Sequence, residues 1–357
     1  MIVEEIQQRD TWNDTLRALP YAHVLQSWEW GEFKRATTGW QPTRLTFRQD
    51  ENGAVVAMAS VLTRFVGPLA VMYVPKGPAL DYSDRALLAG VLDHLQALAR
   101  KRPAIWLKID PDVIGWTGVP GESDDTIDFQ GQAVIQLLKD RGWQFSADQV
   151  QFRNTVSLDL TRSEDDLLAQ MSQNTRRKVR TATKKAVTIR AAAPEDLPTL
   201  YDLYKVTGER DSFLIRPPDY YEKAWRDFMQ AGLAHALIAE YEGTAIAQVI
   251  LFHFGQKCWY FYGASSNQER NRMPNYGLQW AAMQWAKAQG YTIYDMWGAP
   301  NDFVESDSMW GVFQFKRGFR GTVTRHIGAW DYAPYRPLYK AYTRLWPRVL
   351  NFLRRRA

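Results

Sequence analysis

The chain repeats one pattern of elements twice, and this restricts its fold more than any other feature. AVVAMASVLT (54–63) and LAVMYVP (69–75) are apolar runs of strand length separated by a turn. SDRALLAGVLDHLQALARK (83–101) reads as a helix, because Leu87, Leu88, Val91, Leu92, Leu95 and Leu98 return at spacings of three and four, with Ser83 as candidate N-cap. AIWLKIDP (104–111) is a strand stopped by Pro111. Between 244 and 298 the order returns: TAIAQVILFHF and KCWYFYGASS as strands, YGLQWAAMQWAKAQG as a helix ending at Gly290, and YTIYDMWG as a strand ending in an acid. Tyr73 precedes Asp110 by 37 positions and Tyr260 precedes Asp295 by 35. Shared order and spacing predict a duplicated α/β (α+β) unit. The boundary falls near residue 150, giving domains over 1–150, completed by 325–357, and over 151–324.

The length of 357 residues suits two cores. The net charge of +5 permits an anionic partner without demanding one. A single cysteine, Cys258, excludes an intramolecular disulfide and a cysteine-only metal site, and five scattered His argue against a His-rich one. Cys258 stands beside Trp259 and Tyr260 and is expected in the core. MIVEEIQQRDTW lacks the charged and apolar regions of a signal peptide, and no run of about 18 apolar residues occurs, so a cytosolic protein is expected.

No Walker loop, dinucleotide fingerprint, G-x-S-x-G elbow or zinc-protease motif is present, which disfavours the common hydrolases and dehydrogenases. Residues 162–190 read as one helix followed by a strand, with Ser163 and Asp166 at its start. Its second half carries Arg176, Arg177, Lys178, Arg180, Lys184 and Lys185, six cations within ten residues. They suit either a solvated face matched to the helix dipole or contacts to nucleic-acid phosphates. Three further stretches combine aromatics with a placed cation. LQSWEWGEFK ends on Lys34. RDSFLIRPPDYY holds Arg216 on a loop that Pro217 and Pro218 are expected to stiffen, beside Tyr220 and Tyr221. FQFKRGFRG sets Lys316 after an expected strand carrying Phe313 and Phe315.

Read in order, HVLQSWEWGEFKRATTGW, MYVPKGPALD, WLKIDP, NTRRKVRTATKKAV, FYGASSNQERNRMPNYGLQWAAMQWAKAQG, YDMWG and FKRGFRG resemble the Fem family of peptidoglycan-bridge aminoacyltransferases over nearly the whole chain. The resemblance implies tandem duplicated GNAT-like (acyl-CoA N-acyltransferase-like) domains with mixed sheets. Residues 195–235 leave no room for the long helical hairpin that some members insert. It implies transfer of Gly, Ala or Ser from aminoacyl-tRNA to the side-chain amine of the third stem-peptide residue of a peptidoglycan precursor. The acceptor is a UDP-muramyl pentapeptide or its lipid-linked form. Aminoacyl-tRNA is the co-substrate, and no metal or other cofactor is implied.

By the same match, Lys34 and Arg216 hold the acceptor's phosphates, Tyr220 and Tyr262 line that site, and Lys316 with Phe315 lies at the reacting ester. Asp110 orients or deprotonates the attacking amine, although an ordinary carboxylate is a poor base unless desolvated. Arg176, Arg177, Lys178 and Arg180 are the tRNA-contact candidates. RPLYKAYTRLWPRVLNFLRRRA, with Leu338, Leu345, Trp346, Val349, Leu350 and Leu353 among basic residues, is a candidate peripheral foot on the inner face of the membrane. Two rival readings stay open: a GNAT-like acyltransferase using acyl-CoA on a small amine, and an RNA-binding protein without catalysis.

Overall fold

The computed structural model describes residues 1–211 and 213–343. They form two compact units, one of residues 1–116, 127–151 and 326 onward, the other of residues 117–126 and 152–325. Residues 117–126, expected in the first domain, belong to the second unit, where Gly118 N–H donates to Val323 O at 2.8 Å.

The first unit begins with β1 (Ile2–Glu5), α1 (Arg9–Ala18), α2 (Trp28–Thr38), β2 (Gln41–Arg48), β3 (Val55–Val66), β4 (Leu69–Val74) and β5 (Ala79–Leu80). It continues with α3 (Arg85–Lys101), β6 (Ala104–Ile109), α4 (Phe129–Asp140) and β9 (Gln144–Phe145), while β7 (Ile114–Thr117) and β8 (Thr126–Ile127) bracket residues 117–126. Ser27 Oγ caps α2 by accepting from Trp30 N–H, and Gly39 ends that helix in the left-handed conformation. The cap of α3 is Asp84, which accepts from Leu87 N–H; the expected Ser83 instead closes a turn with Asp81. Leu88, Val91, Leu92 and Leu95 of α3 are at most 1% exposed, and each contributes roughly 2 kcal/mol of apolar burial.

The second unit comprises β10 (Asn154–Asp159), α5 (Glu164–Gln170), α6 (Gln173–Lys184), β11 (Thr188–Ala191), α7 (Leu197–Asp211), α8 (Pro218–Gln230), β12 (Ala234–Tyr241) and β13 (Thr244–Phe254). It ends with β14 (Lys257–Ser265), α9 (Pro274–Ala288), β15 (Ile293–Asp295), α10 (Trp310–Arg317) and β16 (Thr322–His326). The single helix expected from 162 is two. Ser163 caps α5 as foreseen, but the chain breaks at Met171, and Ser172 Oγ starts α6 by accepting from Thr175 N–H. Pro218, expected to stop regular structure, opens α8, because a first-turn proline has no N–H to lose. Gly277 of α9 lets α6 pack closely: a β-carbon there would lie 2.9 Å from Ala182 Cβ. Finally β17 (Trp330–Tyr332) returns to the first unit.

The first sheet runs β1-β2-β3-β4-β6-β17-β9, with β5 on β3, and the second runs β11-β12-β13-β14-β15-β10-β16-β7-β8. Both are mixed. β3 and β4 are antiparallel and β6 lies parallel to β4 after α3; β13 and β14 are antiparallel and β15 lies parallel to β14 after α9. The duplicated pattern of the sequence is therefore a duplicated topology, with an acid at the end of the last strand each time: Asp110 directly after β6 and Asp295 at the end of β15. Cys258 lies in the second unit's core, fully buried.

Candidate functional site

In the second unit a bulge in β14, between the pairs Ile250–Tyr262 and Leu251–Tyr260, inserts Phe261 into the strand. The bulge turns Tyr262 toward Tyr204, Tyr221 and Trp225 of α7 and α8, with ring centroids 5.7–5.9 Å away. Phe261 stacks on Trp297 at 4.7 Å. Tyr220 and Arg216 extend this aromatic wall: the Arg216 guanidinium lies 4.7 Å from the Tyr220 ring centroid, and burial holds the Tyr220 phenol above its ordinary pKa. Arg216 is itself exposed, and its backbone is tied to Tyr201 and Tyr221 hydroxyls at 3.3 Å. Thus Arg216, Tyr220 and Tyr262 belong to one cluster.

Lys316 lies on α10, not after a strand, so Phe313 and Lys316 share the helix's buried face at a spacing of three. The side chain is 4% exposed. Its ammonium donates to the carbonyls of Trp297 and of Gly298, the latter at 2.6 Å, and lies 5.7 Å from the Tyr260 ring centroid. Burial lowers its pKa from 10.5 to about 7, against an opposing pull from Asp295. Two of the three ammonium protons are engaged by carbonyls, which leaves one donor for a reacting oxygen.

The neighbours of Lys316, Phe315 and Tyr260, line a cavity of about 910 Å³, together with Arg210, Ser265, Arg270, Asn271 and Tyr276; Lys316 is not itself in that lining. The basic helix α6 borders this cavity. Lys178 Nζ donates to Tyr276 Oη at 3.0 Å and Lys185 Nζ to Asn271 O at 3.1 Å. Arg177 and Arg180 on α6 are exposed, whereas Arg176 is half-buried and donates to Ala169 O.

The first unit holds the remaining candidates. Lys34 on α2 lies 4.6 Å from the Trp30 ring centroid and 5.4 Å from that of Phe33. Asp110 is 3% exposed. Its carboxylate accepts from Tyr73 Oη–H and from Lys76 N–H, each at 2.5 Å. Burial pushes its pKa up to about 6, with Lys76 and Tyr73 pulling the other way. The desolvation a carboxylate needs to become a useful base is present here. Lys76 reaches Asp112 at 3.5 Å, and His326 reaches the same carboxylate at 3.2 Å.

Sequence reading did not single out Arg210, Tyr276 or Lys76, although each lies inside a motif stretch: RDSFLIRPPDYY, FYGASSNQERNRMPNYGLQWAAMQWAKAQG and MYVPKGPALD. It noted Asp295 only as the end of a repeated strand. Leu345, Trp346, Val349, Leu350 and Leu353 lie outside the described residues, so the proposed foot is described only as far as residue 343, Leu338 included. Among the described residues no group of His, Cys, Asp or Glu is arranged to hold a metal ion, and no helix is long and apolar enough to cross a membrane.

Comparison with known proteins adds the following. The sequence model of the FemAB family matches residues 10–242 and 228–346. A lipid II:glycine glycyltransferase of Staphylococcus aureus (strain USA300) is 28% identical over 409 aligned positions, which cover 94% of this chain and 93% of the relative. The crystal structure of FemX superposes with a TM-score of 0.84 at 26% identity, covering 95% of this chain and 99% of that one. A tandem GNAT protein from the clavulanic acid biosynthesis pathway shares the fold, with a TM-score of 0.54 at 12% identity over 93% of this chain and 99% of that one.

Proposed function

The chain belongs to the FemAB family and is an aminoacyltransferase, and from this premise we propose that it adds an amino acid to the stem peptide of a peptidoglycan precursor. The donor is an aminoacyl-tRNA carrying Gly, Ala or Ser. The acceptor is the side-chain amine of the third stem residue, in the lipid-linked precursor that the glycyltransferase relatives are named for or in its UDP-linked form. The enzyme works at the cytoplasmic face of the membrane, as a peripheral protein.

The observation that carries this reading is the buried Lys316 ammonium, held by two carbonyls next to a large cavity that a basic helix borders. In the reaction the acceptor amine attacks the carbonyl carbon of the aminoacyl ester. The C–N bond forms, the carbonyl oxygen takes the negative charge, and the C–O bond to the terminal ribose then breaks. One proton leaves the amine and one reaches the ribose oxygen, giving an amide and free tRNA. The remaining N–H of Lys316 serves the oxyanion or the leaving oxygen, where a preorganised cation in a dry site is most effective. Phe315 and Tyr276 give the terminal adenosine an aromatic wall, and Arg210 and Arg270 attract its phosphates. Arg177, Lys178 and Arg180, with Arg176 behind them, position the acceptor arm without reading sequence. Asp110, with its raised pKa, receives or orients the amine's proton. Lys34 and Arg216 each offer an aromatic-backed cation to the acceptor's phosphates, and Tyr220 and Tyr262 pack against its sugar or peptide.

The test is transfer of radiolabelled Gly, Ala and Ser from charged tRNA to both precursor forms, with Lys316→Ala in parallel. Transfer that collapses in the variant supports the reading. No transfer to either acceptor, with the charged tRNAs intact, sinks it and turns attention to acyl-CoA donors.

A further inference from the structure

Asp295 ends the last strand of the second repeat, and the reaction as proposed gives it no role. Its side chain is 3% exposed. Its Oδ1 accepts the hydroxyl of Thr155 on β10 and, at 2.8 Å, the backbone N–H of Trp297. Trp297 and Gly298 both adopt left-handed backbone, with φ of 53° and 52°. Two such residues in succession turn two carbonyls the same way, and an aromatic residue does not hold that conformation unaided. A β-carbon on Gly298 would lie 3.2 Å from both the Phe152 ring and the Met309 methyl, so a larger residue there would strain the turn and press on both side chains. Its flanks are tied to β10 as well: Ala299 N–H donates to Asn154 O at 2.7 Å, and Asn154 Nδ2 donates to Pro300 O at 2.6 Å. The carbonyls that this turn presents are the two that accept from Lys316.

We propose that Asp295 is a positioning residue for Lys316: by fastening the Trp297 amide to β10, it holds the turn whose carbonyls clasp the ammonium and so fixes where the remaining N–H points. The inference rests on Lys316 acting at the ester. It gives the second repeat's acid a different office from that of Asp110. Asp295 meets no substrate; it orders the group that does. Its negative charge also favours the protonated amine against the cost of burial. The other ionisable groups around the pair are Tyr260 and Cys258 on β14 and Tyr294 on β15, each pushed up by burial and neutral at physiological pH. Arg317, next along α10, is paired with Glu122.

The experiment is competitive labelling of the full chain with acetic anhydride across pH, read by mass spectrometry on the Lys316 peptide, for wild type, Asp295→Asn, Asp295→Ala and Thr155→Val. It needs no substrate. Asparagine keeps an acceptor for Trp297 and Thr155 but loses the charge, so the labelling midpoint should fall by roughly one pH unit. The alanine variant frees the turn. Its Lys316 should label faster, and kcat for transfer should drop by about tenfold or more while KM for the acceptor stays within about twofold. Thr155→Val should fall between wild type and alanine, and asparagine should recover much of the lost kcat. Labelling profiles that match wild type in folded Asn and Ala variants overturn the proposal. If the alanine variant does not fold, the Asn and Val profiles decide the matter alone. A Lys316→Ala enzyme that transfers like wild type would remove Lys316 from the reaction, and the labelling shift would still report whether Asp295 holds it.

Discussion

Replacing Lys316 with methionine should change how stability depends on pH, not merely how stable the protein is. The ammonium is 4% exposed, and its pKa falls from 10.5 to about 7 in the fold. That difference corresponds to roughly 5 kcal/mol against the charged form. The unfolded chain keeps this proton up to its ordinary pKa, whereas the folded chain releases it near neutrality. Between those values unfolding takes up a proton, so wild-type stability rises with pH, by up to about 1.4 kcal/mol per pH unit from this group. The contribution is greatest above the unfolded pKa and is lost as pH falls toward 7. Methionine has no such titration, and every other group is common to both proteins. The wild type should therefore gain on the variant by roughly 2.5 kcal/mol between about pH 7.5 and 9.5. The offset at any single pH is less informative, since methionine also leaves the Trp297 and Gly298 carbonyls without their donor. Equilibrium urea unfolding at three pH values, followed by tryptophan fluorescence, reads the slope. Parallel stability curves for the two proteins would refute the argument, because they would mean that the amine is hydrated and titrates normally.

Asp110→Asn should show the opposite pH sense. The folded carboxyl titrates near 6 and the unfolded one near 3.8, so the wild type loses roughly 3 kcal/mol as pH rises through that window and the variant does not, a difference readable from melting temperatures at about pH 4 and 7. Gly277→Leu should cost about 2 kcal/mol or more by urea unfolding and separate α6 from α9, since even the first added carbon meets Ala182 at 2.9 Å. Charge reversal of the exposed pair Arg177 and Arg180 should weaken binding of uncharged tRNA and flatten its salt dependence, measured by filter binding from low to moderate salt, without altering the melting temperature appreciably.

The topology was legible because periodicity survives in single sequence segments. The leucine spacing of α3 and the continuous apolar runs of β3, β4, β13 and β14 report burial directly. Failures gathered where the chain turns. Ser83 and Asp84 are equally good caps on paper, but Ser83 is engaged in a turn with Asp81 and Asp84 caps the helix. The break between α5 and α6 hides in a stretch whose composition is helical throughout, and it shows in the sequence only as a serine preceding a polar turn. In FQFKRG the alternation of Phe313 and Phe315 suggests a strand, but the tertiary need is for Phe313 and Lys316 on one face, which a helix supplies. The residues of the site fared likewise. Lys316 and Asp110 could be named within their motifs, whereas Tyr276 and Arg210, though inside motif stretches, are marked as cavity residues only by the path of the fold.

The two repeats show how one scaffold acquires two kinds of acid. In each, an aspartate stands at the end of, or directly after, the strand that lies parallel to its neighbour after the crossover helix, and in each it is almost fully buried. Their partners differ. Asp110 takes its hydrogen bonds from a phenol and a backbone amide, and its cationic neighbour Lys76 is itself engaged by Asp112. Burial therefore dominates, and the carboxyl becomes more basic. Asp295 takes its bonds from Thr155 and Trp297 within the structure that shapes a tight turn, and the cation near it is Lys316, whose own charge is costly to bury. The first arrangement yields a group suited to moving a proton and the second a group suited to holding another residue still. The repeated topology places the acid, and the residues packed around it determine its chemistry.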